Sequence, residues 1–140
     1  MEAKITNLGL VVSNQQKSVE FYTEKVGFEI KTDVTPKGGS RYVTVGPKGQ
    51  DLEIQLWEIG GTTDASQKEV SRSWSPARSP PILLRVADCR GIHQELNRRG
   101  VKFLQEPFDH PWGTSATFAD PDGNLFSMNQ PPATSSWGKK

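Results

Sequence analysis

The sequence predicts an α+β protein made of two βαβββ modules of like plan. Three observations carry that reading. An apolar run, a helical stretch and three more apolar runs succeed one another twice within 140 residues. A glycine closes each helical stretch, Gly27 in the first half and Gly100 in the second. Short breaks rich in Gly, Pro and Asp separate the later runs, with no further helical stretch among them.

The first half opens with an apolar run over 5–12, long enough for one strand. Ser13 and Asn14 follow, both good helix caps. Val19, Tyr22 and Val26 then recur at helical spacing, and Phe21 broadens their apolar face. Strands are predicted over 28–34, 41–45 and 51–57, with turns at 35–39 and 46–49. In the second half, 82–86 reads as a strand and Asp88 as a helix cap, with Ile92, Leu96 and Val101 on the helix's apolar side. Further strands are predicted over 101–106, 114–119 and 125–130. Asp120-Pro121-Asp122-Gly123-Asn124 reads as a hairpin turn and not as an acidic site, because Pro and Gly sit where the turn needs them. The modules are then 1–58 and 80–131. A linker over 59–79 contains Trp74, and a Pro/Ser/Lys-rich tail over 132–140 contains Trp137.

Composition narrows the function classes. Seventeen Lys and Arg against 16 Asp and Glu leave a net charge of +1, which exerts no general pull on nucleic acid or an anionic membrane. No apolar run reaches bilayer-spanning length, and Met1-Glu2-Ala3-Lys4 does not open a signal peptide. Cys89 is the only cysteine and cannot form an internal disulfide, so a cytoplasmic location is expected. Cys89 itself is expected to be a small, partly buried residue at a strand end.

Two stretches are more specific. Asn7-Leu8-Gly9-Leu10-Val11-Val12 is followed by Ser18-Val19-Glu20-Phe21-Tyr22 and Val26-Gly27-Phe28. Later come Pro111-Trp112-Gly113-Thr114 and Phe118-Ala119-Asp120-Pro121-Asp122-Gly123-Asn124. Together, in order and on a repeated frame, they resemble the vicinal-oxygen-chelate superfamily, the glyoxalase/bleomycin-resistance protein/extradiol-dioxygenase group. The resemblance implies curved mixed sheets forming a ligand cup, helices on their convex sides, and a symmetric homodimer.

With that fold, period-two alternation places Asn7, Gly9 and Val11 on the cup side of the first strand and Glu53, Gln55 and Trp57 on the fourth. Pro81, Leu83 and Arg85 take the same side of the fifth, and Leu125, Ser127 and Asn129 that of the last. Superfamily enzymes generally hold a divalent metal with His and Glu from four strand positions. Those positions fall here on Asn7, Gln55, Pro81 and Ser127, and none is His, Asp or Glu. No metal or other cofactor is therefore expected, and no catalytic residue is assigned. His93 is expected to face solvent, and His110 to sit in a loop over 107–112.

The expected site is instead a cup for a small organic molecule, lined by Asn7, Glu53, Gln55, Trp57, Arg85, His110, Trp112, Ser127 and Asn129. Trp57 and Trp112 would stack on the ligand, with Phe108 nearby, and Arg85 would pair with an anionic group. The bland counterparts are core packing for the tryptophans and a structural Arg85–Glu53 pair. Binding in the manner of the bleomycin-resistance branch is the first reading, although a cationic drug such as bleomycin suits a near-neutral chain poorly. The alternatives are a metal-dependent glyoxalase-type lyase, isomerase or dioxygenase with displaced ligands, and metal-free acid/base chemistry at Glu53 or His110. Fold alone does not choose among them.

Overall fold

The computed structural model describes residues 1–58 and 81–133. In the first unit β1 (Asn7–Val12) leads into helix α1 (Gln15–Glu20), which continues as a π-helical segment, Phe21–Val26. Then come β2 (Glu29–Val34), β3 (Tyr42–Gly46) and β4 (Glu53–Glu58). The second unit repeats the order with β5 (Ile82–Arg85), α2 (Cys89–Arg98), β6 (Lys102–His110), β7 (Gly113–Ala119) and β8 (Leu125–Gln130). Each unit forms its own four-stranded sheet, ordered β1-β4-β3-β2 and β5-β8-β7-β6. The first strand of each pairs parallel with the last, and the remaining pairs are antiparallel.

Local chemistry sets the helix ends. The Asn14 side chain accepts the backbone N–H of Lys17 at 2.9 Å, and Asp88 accepts that of Gly91 at 3.0 Å. Gly27 and Gly100 both stand at φ 89°, the left-handed conformation that ends a helix at little steric cost. The wider π-helical turn keeps two consecutive aromatics, Phe21 and Tyr22, buried together at 5.1 Å edge to face. Tyr22 also stacks on Phe28 at 6.0 Å.

The alternation along the strands divides each sheet. In the first unit Leu10, Val12, Val43, Val45, Ile54 and Leu56 are buried with Val19, Phe21 and Tyr22 of the helical segment. In the second, Ala116, Phe118, Phe126 and Met128 are buried with Leu96 of α2, and Phe118 stacks on Phe126 at 5.3 Å. Burying one such large side chain contributes about 1.5–3 kcal/mol, so these faces anchor the helices. The other face of each sheet carries the polar residues described below.

Three expectations are corrected. Residues 107–110 are not loop: β6 runs through to His110. Pro107 has no N–H to pair, but β6 is an edge strand whose register shifts between Gln105 and Phe108, so the ladder passes over it. His93 does not face solvent freely; it is half-buried, edge-on to Phe103 at 4.5 Å. Cys89 is fully buried at the first position of α2, and burial pushes its thiol up. The turn at 120–124 forms as the sequence predicts. Asp120 accepts the backbone N–H groups of Asp122 and Asn124 at 2.9 and 2.8 Å, and Gly123 takes φ 86°. The expected linker over 59–79, with Trp74, and Trp137 of the tail lie outside the described residues. Among the described residues no helix is long and apolar enough to cross a membrane.

Candidate functional site

On the first sheet, the face turned away from the helix carries Asn7, Tyr42, Thr44, Glu53, Gln55 and Trp57. The parallel β1–β4 ladder sets Asn7 beside Glu53 and Val11 beside Trp57, while Gln55 has Gly9 on one side and Thr44 on the other. Asn7 Nδ2 donates to the Tyr42 hydroxyl at 2.6 Å. The hydroxyls of Thr32 and Thr44 both donate to Glu53 Oε1, at 2.6 and 2.5 Å. These two bonds, Thr32 first, hold the Glu53 carboxyl below the usual carboxylate range against the opposing effect of desolvation, and Lys31 adds a smaller pull in the same direction. A carboxylate so held is a weak base and a firm acceptor. Trp57 is half-buried near the end of β4.

On the second sheet, the corresponding face carries Leu83, Arg85, Phe108, His110, Ser115, Thr117, Ser127 and Asn129. Arg85 lies beside Asn129, and Ser127 sits between Leu83 and Thr117. Ser115 Oγ lies 2.7 Å from His110 Nε2 and 2.7 Å from Asn129 Oδ1. Trp112 N–H donates to His110 Nδ1 at 3.2 Å, and Asn129 Nδ2 donates to Trp112 O at 3.3 Å. The Trp112 residue is 71% exposed. Arg85 is exposed also. Although Ser115 and His110 are within reach of each other, His110 Nδ1 accepts a backbone N–H, whereas a Ser–His nucleophile pair needs that nitrogen to donate to an orienting acid.

The structure thus joins Asn7 to Tyr42, Glu53 to Thr32 and Thr44, and His110 to Trp112 and Asn129 through Ser115. Thr32, Tyr42, Thr44 and Ser115 were not among the residues expected. Extending the period-two alternation to the third and seventh strands points to Tyr42, Thr44 and Ser115. Thr32 has no such signal, because a register shift between Ile30 and Thr32 precedes it.

A family model, that of the Glyoxalase/Bleomycin resistance protein/Dioxygenase superfamily, matches residues 4–128. The chain belongs to this superfamily. Among its relatives is the uncharacterised YurT of Bacillus subtilis strain 168, 36% identical over 128 residues that make up 91% of this chain and 98% of YurT. Two crystal structures are similar throughout. TnmS3, an antibiotic binding protein from Streptomyces sp. CB03234, has a TM-score of 0.76 at 32% identity, covering 94% of this chain and 98% of its own. UcmS2 has a TM-score of 0.77 at 36% identity, with 92% and 98% covered.

Metal-binding members of the superfamily need imidazoles and carboxylates at the four strand positions. Two amides, a proline and a hydroxyl, at Asn7, Gln55, Pro81 and Ser127, do not suit a divalent cation. Among the described residues no group of three or more His, Cys, Asp or Glu side chains is placed to hold one.

Proposed function

We propose that the protein binds a small organic molecule on the polar, aromatic-bearing faces of its sheets, without the divalent metal of the superfamily's enzymes. The observation that carries this reading is the make-up of those faces. Two amides, a proline and a hydroxyl stand at the positions where the resemblance puts a metal enzyme's ligands, and the two groups best able to serve as ligands are already engaged. Glu53 Oε1 takes two hydroxyl bonds, and both ring nitrogens of His110 are hydrogen-bonded. The likeness to TnmS3, an antibiotic binding protein, supports an antibiotic-like ligand. Trp57 and Trp112 supply stacking surfaces, while Asn7, Gln55, Ser127 and Asn129 orient the ligand and Arg85 pairs with an anionic group.

A homodimer belongs to the same proposal. Leu8, Leu83, Phe108 and Trp112 are exposed apolar groups of a kind that a partner or ligand covers. The cytoplasm, where Cys89 stays a thiol, is the expected location.

The test combines metal analysis with ligand titration. Mass spectrometry of the purified protein after dialysis with Zn, Ni, Mn and Fe(II) should give below about a tenth of an equivalent of each. Tryptophan emission should then be quenched saturably by members of a panel of polycyclic antibiotics. A full equivalent of metal surviving dialysis would overturn the proposal in favour of a metal-dependent lyase, isomerase or dioxygenase.

A further inference from the structure

The four hydrogen bonds around Ser115 leave no freedom in their direction. Trp112 O can only accept, so Asn129 must turn its amide nitrogen toward it. That puts Oδ1 toward Ser115, and because an amide oxygen only accepts, Ser115 donates there. With its one proton spent, Ser115 must accept from His110, so Nε2 carries hydrogen. The loop closes at Nδ1, which accepts Trp112 N–H and therefore carries none. The result is a ring, Trp112 N–H to His110 to Ser115 to Asn129 to Trp112 O, with every bond pointing the same way round. Bonds arranged head to tail strengthen one another.

Only one form of His110 completes this ring, the neutral tautomer with hydrogen on Nε2. A protonated imidazole would set Nδ1–H against Trp112 N–H, donor against donor. The ring grips Trp112 by both of its backbone polar groups, yet the residue is 71% exposed. Phe108, two residues before His110 on the same edge strand, lies 5.0 Å from the imidazole centroid and is 40% exposed. Phe108 and His110 thus form an aromatic pair, and Trp112, two residues on, is anchored to it through its backbone. Fixing the backbone from which a large exposed aromatic projects lowers part of the ordering cost of binding.

We infer that Ser115 is a positioning residue for the ligand, setting the Trp112 backbone through His110 and Asn129. This rests on the small-molecule-binding reading above. The charged groups around His110 are few. Asp109 precedes it and is held by Arg90 of α2 at 3.0 Å and by the Thr114 hydroxyl at 2.7 Å. β7 and β8 oppose the imidazole with uncharged Thr114, Ser115, Asn129 and Gln130.

The test uses the whole chain and 2-naphthalenemethanol, an aromatic probe uncharged at every pH used. In ¹⁵N spectra the neutral His110 imidazole should carry hydrogen on Nε2 and none on Nδ1. The probe should shift the Trp112 indole N–H saturably. Ser115→Ala removes both of its ring hydrogen bonds; it should mix the two tautomers and weaken the probe about five-fold, while Ser115→Thr restores both. A neutral imidazole with hydrogen on Nδ1 would overturn the ring and leave the binding reading intact. Ser115→Ala binding as tightly as wild type, or a probe that never reaches Trp112, would overturn the positioning role. A failure of the antibiotic titration would sink the binding reading separately.

Discussion

Single residues on the sheet faces do unequal work, and Glu53 is the clearest case. Its folded carboxyl lies below its ordinary value of 4.5 because Thr32 and Thr44 donate to it. Stability from this source is therefore present above the ordinary value and is lost as pH falls through the lower folded one. Glu53→Gln should cost about 1–2 kcal/mol in urea unfolding at neutral pH, and little once the carboxyl is protonated. An equal loss at both pH values would assign the effect to shape instead of charge. Asp120 works through hydrogen-bond satisfaction. It is 5% exposed, takes two backbone N–H groups and binds the Asn124 amide at 2.9 Å. Asp120→Ala strands those buried donors and should lower unfolding free energy by about 2–3 kcal/mol, measured by denaturant titration. Had the turn been an acidic site for a ligand, the same change would leave stability nearly unaltered.

At the scale of elements, two glycines bear predictions of different size. Gly27 ends the helical segment at φ 89°. Gly27→Ala should cost about 1–2 kcal/mol, the penalty of the left-handed region alone, with the native fold kept by circular dichroism. Gly113 opens β7 at φ 131°, and a Cβ there would stand 2.0 Å from Gln130 O, a backbone atom that cannot yield easily. Gly113→Ala should therefore cost on the order of 3 kcal/mol and disturb β7–β8 pairing, visible as lost amide protection at Thr114 and Gln130. The elements were largely legible in advance. Leu125–Gln130 forms over the residues predicted, and the other strands shift by one or two at their ends. The exception is β6, where Pro107 and a neighbouring turn signal read as loop. Backbone pairing on one side of an edge strand tolerated a residue that a central strand would reject.

For the molecule as a whole, the proposal of a symmetric pair has a direct check. Light scattering after size exclusion should give twice the chain mass of 15.5 kDa at micromolar concentration. The mass of one chain would instead leave Leu8, Leu83 and Trp112 as uncovered apolar surface and confine ligand binding to single subunits. The near balance of charge also predicts that binding of an uncharged aromatic ligand changes little with salt.

The βαβββ repeat, the helix caps at Asn14 and Asp88, and the face on which each strand carries its polar residues are all legible along the chain. All three follow from interactions within a few residues or from a period of two, and both are written locally. What those polar residues do to one another is set by the folded arrangement of the strands. Thr32 reaches Glu53 from 21 positions away, and Ser115 joins His110 to an Asn129 14 positions along the chain. Such partners depend on strand order and on register shifts. The order β1-β4-β3-β2 arises from the parallel return of each last strand to its first, and no spacing along the chain records it.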